Sequence, residues 1–599
     1  LPRQSAFAPP QSLLQRHRLA ALMLVTPSAN GVSRPQLAYG DAPFQRVPGD
    51  GFQPLRKAVS APSPGLLERR FSSSFPSKPL AELERKKTFW EVKNPWRGLN
   101  RTASFVSEAY VKFKQQKSVA EDARQPREER MVAVVDPFST GALLAAAVEQ
   151  RGFHVIRILS EYNSPVADLV QESISCSFDA TIQHNNLAAD QQKALQDTIA
   201  ELKALPWALE AILPGAETGV SLADQLTFAL ELRGNGEEHS RARRNKYLMG
   251  EAVRAAGVRA VKQLYATEWE QVAEFLQGWP EPFLAVVKPL ESAGSDDVFK
   301  CGSAEEVETA FRSIHGKKNG LGQLNDGALV QEFLAGREFV IDGVSRDGVY
   351  KVMAIWEYDK RSVNGANFVY FGMRPRCEDG PEMTALIDYA ASVVDALTIR
   401  NGPSHMEVMV MDDGPCLVEV GARCHGGEGT WCPIAKACYG YTQVDGTVAS
   451  FFSPEAFDSY PPRPTELRAH GREVFFVVQE SGVIRTMPGV QVIKNSPSFH
   501  SLEMMVKPGD FIAKTIDCFT RPGAAQLLHT DAEVVAKDYE MLRALELPGG
   551  GLFDLSLVCE EDPRQKGIVV VVDPFSTGAQ LAAEVVKRGF RLVMVLAER

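Results

Sequence analysis

The 599-residue chain has 44% apolar and 23% charged side chains, the balance of a globular protein, and is long enough for roughly three or four folding units. Its formal net charge of -10 excludes a binder of phosphate backbones, which concentrates Lys and Arg to displace counterions, so no nucleic acid is expected as a partner. Nine scattered cysteines predict reduced thiols in a soluble intracellular protein, and the apolar run 19–25 falls far short of the ~20 residues that cross a bilayer, so no membrane is expected either.

Residues 1–130 are rich in Ser, Pro and Arg, lack sustained periodicity and end in a charge-dense stretch from Glu121 to Arg130. They read as a largely disordered leader and linker. The chain opens on Leu1, as a fragment or processed product does. Residues 1–40 hold Arg3, Arg16, Arg18 and Arg34 but no acidic residue, the composition of an organelle transit peptide. The run Ser5-Ala6-Phe7-Ala8-Pro9 resembles the cleavage signature of bipartite plastid presequences, which sets plastid beside cytoplasm as the expected location. A mixed segment with Trp90 and Trp96, reaching Lys114, is expected to form an amphipathic helix docked on the main body.

At Met131 to Val135 an apolar run meets the loop Asp136-Pro-Phe-Ser-Thr-Gly141, then a helical pattern to Gln150, then a second apolar run, His154 to Leu159. Strand, loop, helix and strand in that order open a parallel α/β unit. The same text recurs at Val569 to Val572, Asp573 to Gly578 and Leu592 to Leu596, at a constant offset of 437 residues (573 against 136, 589 against 152). Such a period predicts one whole module followed by the start of another, in a tandem array. The alternative is that the last segment completes the first module's sheet.

Four elements between Ala211 and Val444 carry chemistry. The first is Ile212-Leu-Pro-Gly-Ala-Glu217, a strand end entering a loop, followed downstream by Arg244-Asn245-Lys246, which opens a helix closing at Gly257. The second is the apolar strand Phe283-Leu-Ala-Val-Val-Lys288, followed by the small-residue loop Ser292-Ala293-Gly294-Ser295. A lysine in a buried strand demands a partner, and free backbone N–H groups in a flexible loop suit phosphate oxygens. The third is Ala328-Leu-Val-Gln331-Glu332-Phe333-Leu334, running on to Glu338. Its backbone is placed to pair an adenine edge, with Glu338 toward ribose hydroxyls.

The fourth element is two apolar strands joined at Asp413-Gly414, each holding one carboxylate, Glu407 and Glu419, with Arg423 just beyond. Carboxylates in hydrophobic runs are rarely tolerated unless paired or bound to metal, and two across a hairpin make a hard oxygen site for Mg²⁺. Arg423 is placed to hold charge on a transferring phosphoryl group or a tetrahedral intermediate. After it, Cys424, His425, Cys432 and Cys438 fit no common zinc spacing, and a glycine-rich substrate loop is the expectation. There His425 and Glu428 would orient an amino acid and Trp431 would wall the pocket. Lys360, Arg361, Tyr370 and Arg374 are weaker candidates.

Taken in order, these elements resemble the ATP-grasp superfamily, nearest to its carboxylate-amine ligases of the L-amino-acid ligase and carnosine synthase kind, over about residues 131–560. The resemblance implies an α/β and α+β architecture. An N-terminal parallel α/β domain (131–235) would precede the ATP-grasp domain (236–460) and a β-rich C-terminal subdomain (461–560), with a second copy starting at 567–599. In that subdomain the runs Glu473 to Val478, Gly482 to Arg485, Val490 to Ile493 and Glu503 to Val506 read as short strands. It implies ATP and Mg²⁺ (or Mn²⁺) as cofactors. Lys246, Lys288, Ser292, Gly294 and Ser295 would lie on the phosphates, Gln331, Glu332, Phe333 and Leu334 on adenine, and Glu338 on ribose. Glu407 and Glu419 would hold metal, Arg423 would stabilise the transition state, and His425, Glu428 and Glu217 would meet substrate. A small carboxylic acid and an amine are the implied substrates, amide, ADP and phosphate the products, with room for a homodimer. Many members carry Asn two residues after the second glutamate; here Gly421 stands there. A carboxylase-type acceptor, or an ATP-binding module without catalysis, is the rival.

Overall fold

The computed structural model describes residues 129–161, 176–292, 297–319, 324–518 and 520–556, and the backbone of strands 568–572 and 591–595. The leader with Trp90 and Trp96, the loop residues Gly294 and Ser295, and the copied loop 573–578 lie outside the described residues.

The expected α/β unit forms. Arg130–Val135 (β1), His154–Leu159 (β2), Ala180–Gln183 (β3) and Ala208–Pro214 (β4) make a four-stranded, fully parallel sheet in the order β3-β2-β1-β4. Successive residues of β1 enter opposite cores, with Met131, Ala133 and Val135 on one side and Val132 and Val134 on the other. That two-sided burial is why the strand reads as unbroken apolar sequence.

A small antiparallel sheet follows, built from Gln263–Ala266 (β5), Ala285–Lys288 (β6), Phe299–Cys301 (β7) and Ala328–Glu332 (β8) in the order β5-β8-β6-β7. The helix Ala304–Ile314 packs Val307, Ala310, Phe311 and Ile314 against it, an i, i+3, i+4, i+7 stripe.

Arg337–Arg346 (β9), Val349–Val363 (β10), Ala366–Pro375 (β11), Gly402–Met411 (β12) and Gly414–Gly421 (β13) form most of a larger antiparallel sheet. His470–Phe475 (β14), Phe499–Met504 (β16) and Gly523–His529 (β18) extend it, giving the order β13-β12-β9-β10-β11-β14-β18-β16. The C-terminal strands therefore continue the central sheet, through a short β11–β14 pairing. Gly482–Thr486 (β15), Phe511–Ile512 (β17) and Asp554–Ser556 (β19) make a separate three-stranded sheet. One correction falls here: the strand expected at Val490 to Ile493 is the helix Pro488–Lys494. Pro488 at its first turn presets a helical φ, and Val490 and Ile493, three residues apart, both turn into the core.

At the end of the chain Ile568–Val572 (β20) and Arg591–Val595 (β21) pair in parallel as a two-stranded sheet of their own. Their register, Ile568 with Arg591, repeats the pairing of Met131 with His154. No helix among the described residues is long and apolar enough to cross a membrane.

Candidate active site

The larger sheet has two unlike faces near its β13 edge. Phe339, Ile341, Met406, Val408 and Val420 point into a core formed with the helices Lys246–Ala255 and Pro381–Ala396. The alternate residues of the same strands carry Glu338, Asp342, His405, Glu407 and Glu419, because side chains one residue apart on a strand face opposite ways. Pairing places Glu407 directly opposite Glu419 and His405 opposite Gly421. Two carboxylates in cross-strand contact repel unless cations lie between or beside them.

The small sheet and the helix before it bring those cations. Asn245 caps that helix by accepting from Leu248 N, which presents Lys246 at its first turn. Lys246 Nζ lies 2.8 Å from Glu419 Oε2 and donates to Ser292 O at 2.7 Å. Lys288, the last residue of β6, is buried. Burial, aided by Lys246, lowers its ammonium to about 8, although Glu419 and Glu407 pull the other way. Burial likewise works to raise Glu419, but Lys246 and Lys288 outweigh it and hold this carboxyl below its usual range. Glu407 goes the opposite way: burial raises it, Lys360 draws it back, and Glu338 and Glu419 push it further up.

Lys360 belongs at the centre of this group. Its Nζ lies 2.5 Å from Glu338 Oε1 and 3.5 Å from Glu407 Oε2, over the ring of Tyr370 at 4.3 Å. Those acids raise its ammonium well above the ordinary value against the effect of burial. Glu338 is thus engaged by Lys360 rather than turned to solvent. Lys360 was legible in the run Trp356, Tyr358, Lys360, two large inward residues followed by a charge in the same phase. Arg361 and Arg374 lie elsewhere, paired with Asp359 and Glu357.

Beyond Glu419 the chain reaches Arg423, whose Nε sits 2.9 Å from Glu217 Oε2 and whose Nη1 donates to Cys424 O at 3.1 Å. Arg244 Nη1 donates to the other oxygen of Glu217 at 2.7 Å. Glu217 is therefore brought to the site with both oxygens facing guanidinium groups, not free for an incoming ammonium.

His425 is also committed. Its Nδ1 lies 2.9 Å from Asp342 Oδ2, His405 Nδ1 lies 2.8 Å from Asp342 Oδ1, and Trp356 Nε1 donates to Asp342 Oδ2 at 2.7 Å. Burial opposes the charge of Asp342, but the two imidazoles and their hydrogen bonds hold its carboxyl far below the ordinary range. Among the described residues this trio is the cluster whose ligand atoms lie close enough to share a metal ion. Asp342 was missed, although an acid inside Phe339-Val-Ile-Asp342 carries the same signal that singled out Glu407. Trp431 is fully buried and stacks on His425, so it supports the loop instead of walling a pocket. Cys424 and Cys438 pack in apolar clusters. Glu428 stands at an exposed rim, 3.3 Å from Arg521, with its N–H donated to Ser139 Oγ at 2.8 Å.

The segment 331–334 runs from the last two residues of β8, on the small sheet, into the loop beyond. Gln331 Nε2 donates to Gln263 Oε1 at 2.9 Å, Glu332 Oε1 accepts from Lys262 N at 2.7 Å, Phe333 lies under Lys300, and Leu334 packs on Val261 and Cys416. Ser292 is buried where the loop leaves β6.

An ATP-grasp domain model matches residues 281–431, which hold both glutamates, Arg423 and Lys288. Dapdiamide A synthase of Enterobacter agglomerans is 30% identical over 422 residues, covering 69% of this chain and 96% of that protein. The chain belongs to the ATP-grasp carboxylate-amine ligases. An L-arginine-specific L-amino acid ligase of Bacillus subtilis is 24% identical over 202 residues, 33% of this ligase and 47% of that one. The crystal structure of an L-amino acid ligase from Bacillus licheniformis shares the fold, with a TM-score of 0.55 and 18% identity over 72% of this ligase and the whole of that chain. The ATP-grasp ligase fold thus puts a carboxylate pair on the large sheet and a lysine pair on the small sheet and the helix that precedes it.

Proposed function

We propose that this ligase activates the carboxylate of one amino acid as an acyl phosphate and joins it to the amine of another, releasing ADP and phosphate. The observation that carries the reading is Glu407 facing Glu419 across the hairpin with Lys246 on Glu419. The relatives named as an L-amino acid ligase and as dapdiamide A synthase support amino acids as the substrate class.

Lys246 and Lys288 take the β- and γ-phosphates, with Ser292 beside them, and 331–334 takes the adenine edge. Lys360 moves from Glu338 to phosphate, which leaves Glu338 for ribose. The paired, buried, all-oxygen donors of Glu407 and Glu419 suit Mg²⁺ or Mn²⁺, and Glu407 is raised by burial and by the neighbouring carboxylates Glu338 and Glu419, which Lys360 offsets only in part. A divalent ion held by Glu407 and Glu419 would supply charge neutralisation for the phosphate oxygens. The substrate carboxylate attacks the γ-phosphorus in line and ADP leaves. The amine then attacks the acyl carbonyl, Arg423 holds the oxyanion, and phosphate leaves as the C–N bond is completed. His425 and Glu428 border the substrate loop. Residues 131–235, 236–460 and 461–560 act as three parts that close to exclude water from the acyl phosphate. The shared register of β1–β2 and β20–β21 supports a parent chain with further modules.

The test is a substrate screen of the purified chain with ATP, Mg²⁺ and pairs of amino acids, reading phosphate release and product mass. Amide formed with one ADP per product is expected, and Glu419→Ala should lower it by at least ~10²-fold with the fold intact. ADP formed only with bicarbonate would point to a carboxylase. ATP bound without turnover would point to a regulatory module.

A further inference from the structure

Glu217, Arg244 and Arg423 come from three separate places: the loop after β4, the turn before the helix Lys246–Ala255, and the loop after β13. Glu217 Oε2, 2.9 Å from Arg423 Nε, lies outside hydrogen-bond alignment and is a buried acceptor with no donor aimed at it. Burial works to raise this carboxyl, but Arg423 and Arg244 overcome it and keep the group ionised below its ordinary value. Gly421 lies between Glu419 and Arg423. A Cβ built on it falls 2.4 Å from Glu217 Oε2 and 3.1 Å from Arg423 Cζ. Space, and not a left-handed backbone, is what demands glycine at that point.

We propose that Glu217 is a positioning residue for Arg423, and that position 421 is glycine because any side chain there would displace the Glu217 carboxylate. The carboxylate stands beside Nε as an ion-pair partner and the Cys424 carbonyl accepts from Nη1, so the guanidinium is held by charge on one side and by a hydrogen bond on the other. The remaining N–H groups are then fixed for the oxyanion, where preorganised donors are worth most. This inference rests on the ligase reading of the cleft and adds to it a residue from the loop that leaves the N-terminal sheet.

Glu217→Gln keeps the shape and removes the charge. With the full chain, ATP and an accepted pair of amino acids, it should lower kcat at least ~10-fold, with KM for ATP within about twofold and the melting temperature unchanged. Gly421→Ala, whose methyl enters the same space, should do the same and serves if Glu217→Gln misfolds. Free guanidinium should partly restore Arg423→Ala when Glu217 is present and fail to do so in Glu217→Gln/Arg423→Ala. Wild-type kcat in both single variants, a rise confined to KM for the amine, or equal rescue in both backgrounds overturns the positioning role and leaves the ligase reading standing. A wild-type chain with no turnover on any amino-acid pair overturns both.

Discussion

Lys288 ends a buried strand with a second lysine nearby, and burial holds its ammonium at about 8 in the free protein. Phosphate charge placed against it must raise that value, because an opposite charge favours the protonated form. At pH 8.5 ATP binding is therefore expected to take up protons, read by calorimetry in buffers of different ionisation enthalpy, and Lys288→Met should abolish most of the uptake. Equal uptake in wild type and variant would place the proton elsewhere. The lysine itself was legible because a cation interrupting Phe283-Leu-Ala-Val-Val has no other reason to be there, and Glu407 and Glu419 were legible on the same ground. What sequence did not show was the commitment of each neighbour. Glu217 and His425 were expected to meet substrate, yet their partners, Arg244 and Asp342, lie 27 and 83 residues away. Such separations carry no local pattern, so only the fold reveals them.

At the scale of elements, Asp342 ties β9 to β10 through Trp356, to β12 through His405 and to the loop after β13 through His425. Removing a fully buried acceptor strands three donors at once, so Asp342→Ala is expected to cost about 3 kcal/mol in chemical denaturation. A loss under about 1 kcal/mol would mean that the three rings are held by packing alone. The helix Ala532–Glu546 supplies a second case. Burial raises Glu546 to about 8, although Arg543 and the Val477 N–H draw it down. Its unfolded value is near 4.5, so the native state keeps a proton that the unfolded state has lost as pH rises between about 4.5 and 8. Stability should fall across that window, by up to about 1 kcal/mol per pH unit, and level off above it. Glu546→Gln should flatten the slope. An unchanged slope would assign the linkage to other groups. Strands and helices with a clean period were read correctly from sequence, as β6, β8 and the β12–β13 hairpin show. Val490 to Ile493 was not, since four residues rich in β-branched side chains fit either period and only Pro488 pointed to the helix.

For the whole molecule, the order of motifs predicted one fold, and the chain has it: a parallel sheet leading into a helix and two antiparallel sheets that together carry the lysine and glutamate pairs. The continuity of the C-terminal strands with the central sheet was not legible, because a β11–β14 pairing of two residue pairs leaves no trace in composition. The central claim is that Glu407 and Glu419 together hold the divalent ion that carries the phosphates of ATP. It is tested most directly by electron paramagnetic resonance of Mn²⁺ titrated into the protein with a non-hydrolysable ATP analogue. Wild type is expected to bind Mn²⁺ at least ~10-fold more tightly than Glu407→Gln/Glu419→Gln, with both proteins folded. Equal Mn²⁺ affinity and identical spectra in the two would contradict the account.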